Sequence, residues 1–426
     1  MVGGQLGLQR PSMPGEANAR QWPLAAKPLA MTRFRRVPPW ARRLHPLRAA
    51  PELRLRQAPA PCHHRRRPML EVAVPFPLPS PPLIHFSGRG PILLVAPHAT
   101  AELQRAVAFV DPDPAVQAEL AERVADWHDA GSGEAMAAAA KHLQAPGLAP
   151  ILPRGLMDLN RGWKGRVEAK ETLFGKGALD AWAGAHLREG AREALESWYR
   201  AALGQIRGAA EAVDGFVEVH SFGDLGSTYD MQAGGRPVRR PEAALISGTP
   251  WASAYPVGLA RLLPGDLRGM PWALEKAVTD ALQHRGFRVG PGPYPTQGPW
   301  ALSARFLASR WFAWLAHTGC IPAQTAQTLV NLAWTDEQDP RLEAVATGQA
   351  EEPEDLRGVR QWAQAMGAWS HAAGQVGDRF LSEDPAFTLV VELRNDRVAD
   401  AEAFGLAVAE GLQSYLHGRS QGEPCA

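Results

Sequence analysis

The chain has 426 residues, 45 Lys and Arg against 44 Asp and Glu for a net charge of +1, and only three cysteines. Cys62, Cys320 and Cys425 are too scattered for a disulfide framework or a four-cysteine zinc site, which points to a reducing compartment and a cytoplasmic protein. No run of about 18 apolar residues occurs, so neither a membrane-spanning helix nor a secretory signal is expected.

The near-neutral total conceals two different materials. Residues 1–70 hold fourteen Lys or Arg and two acids, net +12, while the rest of the chain holds 31 bases and 42 acids, net −11. Residues 1–68 carry eleven prolines and no sustained hydrophobic period, the signature of a disordered extension. Met69 then opens a segment of different composition and is a candidate native start, with 1–68 outside the functional protein and 69–426 as its folded body. The acidic body argues against a nucleic-acid partner.

A Pro-rich lead-in (Pro75 to Pro82) precedes the apolar run Ile92 to Ala96, a strand bounded by Pro91 and Pro97, with His98 just past it. Asp113 to His128 reads as a helix with Pro114 in its first turn and Val116, Leu120, Val124 and Trp127 on one face. A second helix runs through Met136 to Leu143, then a short strand spans Leu148 to Leu152. A polar turn from Pro153 to Arg161 follows. Residues 178–213 are helical with a break near Gly190, and Gly215 hands over to the strand Phe216 to Val219, which ends on His220-Ser221. Residues 223–270 read as long loops with one strand, Ala243 to Ile246. Long irregular segments of this kind usually serve function. Pro271 to His284 is an amphipathic helix, Phe287 to Val289 a strand, and Gly290 to Pro299 a loop carrying Tyr294. From Trp300 to about Phe380 the pattern is helical, broken by an acidic run at 351–355 that suggests an insertion. The strand Phe387 to Leu393 and a closing helix capped by Asp400 complete the chain.

Three apolar runs therefore end on polar residues, His98, His220 and Glu392, and ligands bind at the carboxyl ends of strands in open α/β sheets. Neutral imidazole is a good zinc donor, and catalytic zinc usually keeps three protein ligands. The third is open between Glu102, one turn beyond His98, and Asp126 near a helix end. Glu392 interrupts Leu389-Val390-Val391, where a lone carboxylate is costly unless paired with, for example, Arg394. Beside a metal it would suit general-base work on an amide. Arg154, Asp158, Asn160 and Arg161 form a second polar knot, either a substrate-carboxylate clamp or a self-bonded turn with solvated arginines. Serine-hydrolase, P-loop and dinucleotide-binding motifs are absent from the sequence.

In this order, Pro97-His98-Ala99, Asp126-Trp127-His128, Arg154, Asp158-Leu159-Asn160-Arg161, His220-Ser221, Pro293-Tyr294 and Val391-Glu392-Leu393 resemble the N-formylglutamate amidohydrolase family, which is related to the zinc carboxypeptidases. The resemblance covers roughly residues 85–310 and 385–418. It implies an α/β three-layer sandwich around a central mixed sheet, carboxypeptidase-like, as one catalytic domain over 69–426 with an added helical segment at about 315–385. It implies Zn2+ held by His98, His220 and Asp126, with Glu102 as the alternative third ligand. Glu392 is then the general base, Arg154 an oxyanion or carboxylate contact, and Asn160, Arg161, Ser221 and Tyr294 the substrate contacts. The implied activity is hydrolysis of an N-formyl or N-acyl amino acid, a small substrate with a carboxylate. A carboxypeptidase-like peptidase, or a non-catalytic relative binding an acidic ligand, is the alternative. Two departures stand out: Phe222-Gly223-Asp224 replaces the arginine that family members often carry after His-Ser, and residues 315–385 are extra.

Overall fold

The computed structural model describes residues 80–163, 177–179, 181–225, 231–232, 236–246, 259, 261–263, 269–292, 301–335, 339–368, 379–380 and 382–421. The extension 1–68 and Tyr294 lie outside them. Val72–Ala426 forms one compact unit.

Its centre is a seven-stranded mixed sheet. The strands are β1 (Leu83–Phe86), β2 (Ile92–Val95), β3 (Gly147–Pro150), β4 (Gly215–Phe222), β7 (Ala243–Ile246), β8 (Val289–Pro291) and β9 (Phe387–Arg394), in spatial order β1-β3-β2-β4-β9-β7-β8. A separate two-stranded ribbon pairs β5 (Met231–Gln232) with β6 (Arg236–Pro237). The central strands β3, β2, β4 and β9 run parallel, while β1 and β7 join antiparallel to β3 and β9. Strands β2, β4 and β9 are buried along their whole length, which is why they read as near-continuous apolar runs instead of alternating ones. The edge strand β1 is the element the sequence pattern misses: its four residues sit among prolines, and only Leu83 is buried.

Helices α1 (Leu103–Ala106), α2 (Pro114–Trp127), α3 (Ser132–Leu143), α4 (Ala181–Ala185), α5 (Ala191–Ala210), α6 (Trp272–His284), α7 (Leu302–His317), α8 (Ala323–Trp334), α9 (Pro340–Ala346), α10 (Val359–Ala368) and α11 (Ala401–Ser420) surround the sheet. Asp113 caps α2 by accepting from the Ala115 amide at 2.7 Å, beside Pro114 in the first turn, as its sequence requires. One sheet face meets α3, α6 and α11, through Val217, Val219, Leu389 and Val391. The other meets α5 and α7, through Phe216, which stacks on Phe306 at 5.4 Å. This makes the three layers of an α/β sandwich.

Close helix packing on the first face depends on missing side chains. A Cβ on Gly405 would lie 2.0 Å from the Ala135 carbonyl oxygen, and one on Gly411 would lie 2.5 Å from the Val278 Cα. Helix α11 can lie against α3 and α6 only because these positions are glycine. On the opposite face, α7 buries Leu302, Phe306, Trp311, Phe312 and Leu315 and carries α8 to α10 behind it. Leu329, Trp334, Leu342, Val345 and Leu356 share its core, so helices α8 to α10 thicken this layer.

Candidate metal centre

Strand order places β2, β4 and β9 side by side, and their carboxyl ends carry the chemistry. In the β4–β9 ladder His220 is level with Glu392, and in the β2–β4 ladder Val95 is level with Glu218. Side chains alternate with a period of two, so Phe216, Glu218 and His220 share the face that meets α7, and Glu392 joins them from the adjacent strand. His98 arrives from β2 after a three-residue step. Asp129 follows the end of α2, and its amide donates to the His98 carbonyl at 3.2 Å, which ties the two segments together.

His98, Asp129 and His220 bring one ligand atom each to within 4.8 Å of one another, and all three are buried. The Oδ2 atom of Asp129 lies 3.1 Å from His98 Nδ1 and 2.9 Å from His220 Nδ1. Each ring is held from behind by another carboxylate. Asp158 Oδ1 lies 2.8 Å from His98 Nε2, and Glu218 Oε2 lies 3.0 Å from His220 Nε2. Carboxylates behind ligating imidazoles fix the tautomer and ring orientation, with Nε2 donating and Nδ1 left for the metal.

The donor set fits a divalent cation. Two imidazole nitrogens and one carboxylate oxygen are a common catalytic zinc set. Ligand atoms about 2.0–2.1 Å from a tetrahedral ion stand roughly 3.3 Å apart, so the two spacings to Asp129 Oδ2 need widen only slightly to admit one.

The electrostatics point the same way. Burial alone would raise the Asp129 carboxyl, but the charge of His98 and the hydrogen bonds from His220 and His98 hold it far below its usual value. Asp158 is likewise lowered: burial opposes ionisation, and His98, Arg154 and Arg161 outweigh it. Burial disfavours the charged form of His220, yet its bonds to Asp129 and Glu218 push it up to about 10. Three buried carboxylates held ionised, Asp129, Asp158 and Glu218, thus surround the two imidazoles, and their negative charge favours a cation between them. Glu392 behaves oppositely. Burial dominates and, although His220 pulls the other way, its carboxyl is pushed up to about 7. No hydrogen bond or ion pair to Glu392 occurs among the described residues. Arg394, its sequence neighbour, is paired elsewhere, with Asp396 at 2.6 Å and Glu242 at 3.7 Å.

A cleft of about 360 Å3 opens onto Asp129 and Asp158. Arg154, Arg161 and Ser221 line it. Arg154 reaches Asp158 at 3.2 Å and Asp129 at 3.4 Å, and Arg161 lies 3.6 Å from Asp158. Ser221 Oγ is buried with no hydrogen-bond partner among the described residues.

The structure therefore brings together His98, His220, Glu392, Arg154, Arg161 and Ser221, while the two expected third ligands stand apart from the His98–Asp129–His220 cluster. Asp126 is exposed on the last turn of α2 and lines only the cleft. Asp129, three residues on and past the helix end, is the carboxylate that meets the two imidazoles. Glu102 is exposed at the start of α1 and pairs with Arg105 at 2.6 Å, outside the cluster. Asn160 is engaged within the protein: its side-chain Nδ2 donates to Glu218 Oε2 at 2.9 Å and its Oδ1 accepts from the Leu302 backbone amide at 2.7 Å. Sequence reasoning missed Asp129 and Glu218. Glu218 had a readable signal, a carboxylate two residues before His220 in an apolar strand and hence on the same face.

No family model and no curated protein matches the sequence. Among solved structures, gene product Atu2144 from Agrobacterium tumefaciens is similar at 16% identity and a TM-score of 0.39, covering 79% of this chain and 96% of that one. An N-formylglutamate amidohydrolase from Ralstonia eutropha JMP134 is similar at 14% identity and a TM-score of 0.38, covering 80% and 99%. These are distant likenesses, and the functional reading rests on the chain's own geometry.

Proposed function

We propose that the protein is a metal-dependent amidohydrolase acting on a small N-formyl or N-acyl amino acid. The observation that carries this reading is the convergence of His98, Asp129 and His220 beside Glu392, which is buried, unpaired among the described residues and level with His220 on the neighbouring strand. His98 Nδ1, His220 Nδ1 and Asp129 Oδ2 would hold the metal, most simply Zn2+. Bound there, the ion supplies Lewis acidity, which eases deprotonation of water and polarises a carbonyl.

The chain's own residues supply the rest. Glu392, pushed up to about 7, can accept a proton from water and return it to the leaving nitrogen near neutral pH, the range in which a general acid–base group is most effective. Arg154 and Arg161 at the cleft wall suit a substrate carboxylate, which a guanidinium can grip with two parallel hydrogen bonds. Ser221 lines the cleft and its Oγ makes no hydrogen bond among the described residues, so it is a candidate partner for a polar substrate atom. A cleft of about 360 Å3 sits at the small end of ligand sites, which favours an acylated amino acid over a long peptide.

The test is a zinc-loaded preparation assayed against a panel of N-formyl and N-acyl amino acids, with peptide C-terminal cleavage in parallel. Release of formate or acid from carboxylate-bearing substrates, lost in Glu392→Gln with zinc retained, supports the reading. A zinc-loaded protein inert to every amide in the panel contradicts it.

A further inference from the structure

We propose that Asn160 and Glu218 are positioning residues that hold the His220 imidazole in its metal-binding orientation, braced against the N-terminus of α7. The proposal rests on the metal centre described above. Glu218 sits 1% exposed in the middle of β4, where an ionised carboxylate is tolerated only if its oxygens are satisfied. Its Oε1 accepts the Ser303 amide. Its Oε2 accepts from Asn160 Nδ2 at 2.9 Å and from His220 Nε2 at 3.0 Å. Asn160 Oδ1 accepts the Leu302 backbone amide at 2.7 Å, and the Asn160 backbone N–H donates to Asp158 Oδ1 at 2.9 Å, the same oxygen that meets His98 Nε2.

Leu302 and Ser303 open α7, and the residue before them, Ala301, makes no side-chain cap. Two orphan N–H groups of a 16-residue helix are therefore capped from a distance by Asn160 and Glu218. Carboxylate charge is favoured at that end of a helix. Glu218 thus has one oxygen fixed by the helix and the other presented to His220, whose Nδ1 is then turned to Asp129. Through Asp158 and Asn160 the same short turn supports both imidazoles. Asn160 and Glu218 act on the metal through His220, without touching the reacting atoms.

Zinc affinity, measured by chelator competition and by calorimetry, tests this. Glu218→Gln and Asn160→Ala are each expected to weaken zinc binding about 10- to 100-fold and to shift the visible absorption of the Co2+-loaded protein. The double variant N160D/E218Q separates orientation from folding. It reverses the direction of the 160–218 hydrogen bond and keeps acceptors for both α7 amides, but presents an N–H to His220 Nε2. It should regain thermal stability without regaining zinc affinity. Wild-type-like zinc affinity in the single variants overturns the proposal while leaving the metal centre intact, as does full recovery of affinity in the double variant. A wild-type protein that binds no zinc overturns the metal centre and this proposal together. If the variants do not fold, hydrogen exchange on the wild type decides: zinc should slow exchange of the Leu302 and Ser303 amides, and unchanged exchange overturns the proposal.

Discussion

Glu392→Gln should make the metal-free protein more stable at alkaline pH and inactive when loaded. Glu392 is 6% exposed, and burial, with the Asp129 charge adding to it against His220, lifts its carboxyl from 4.5 to about 7. At about 1.36 kcal/mol per pH unit, keeping it ionised in the folded state costs about 3 kcal/mol. The sign follows from linkage. A carboxyl whose folded value is raised imposes no penalty below about 4.5, where it is protonated in both states. The penalty grows as pH rises towards 7 and is complete above it. Glutamine is uncharged throughout, so Glu392→Gln should gain about 3 kcal/mol over wild type at pH 8.5 and nothing at pH 4.5. Urea denaturation of both proteins with chelator present, at those two pH values, measures the difference. Turnover of the zinc-loaded variant should fall by about 10²- to 10⁴-fold, the usual contribution of a general acid–base group. A stability difference that is absent at pH 8.5, or equal at both pH values, refutes the burial argument.

Asp129→Ala should lower zinc content from near one per chain to near none by elemental analysis, whereas Asp126→Ala should leave it unchanged. Equal loss in both would return Asp126 to the ligand set. Arg154→Lys keeps the charge but loses the planar fork, so KM for a carboxylate substrate should rise about tenfold or more with kcat less affected; an unchanged KM removes Arg154 from substrate contact. Gly405→Ala places a methyl group 2.0 Å from the Ala135 carbonyl oxygen and should destabilise the protein by about 3 kcal/mol, read by thermal unfolding; an unchanged melting temperature would contradict the close packing of α11 on α3.

Much of the fold is legible in the sequence because its central strands are buried on both faces. Ile92 to Val95 is an uninterrupted apolar run and Phe387 to Leu393 is one broken only by Thr388 and Glu392, and the helices between them carry readable hydrophobic periods, although α3, α5, α6, α7 and α8 lack a side-chain N-cap. β1 escapes because four residues between prolines carry too little pattern. The two histidines and Glu392 are legible for the same reason as the strands: a polar residue ending or interrupting an apolar run marks the sheet's carboxyl edge. Asp129 is not, because its place depends on where α2 stops. Asp126 lies on the helix's last turn and turns outward, and only the chain beyond the helix, tied to His98 by a backbone hydrogen bond, brings a carboxylate back to the imidazoles. Asn160 shows another limit. Its residue type suits a substrate clamp, but its partners come from β4 and α7, and no local pattern announces that the two will meet there.

The central claim is that one divalent ion sits between two imidazoles and Asp129. Crystals grown with Zn2+ and measured across the zinc absorption edge test it directly. The account predicts a single strong anomalous peak about 2.0–2.2 Å from His98 Nδ1, His220 Nδ1 and an Asp129 carboxylate oxygen, with Glu392 facing it unbound. A map with no peak there, or with zinc held by Asp126 or Glu102 instead, would contradict it.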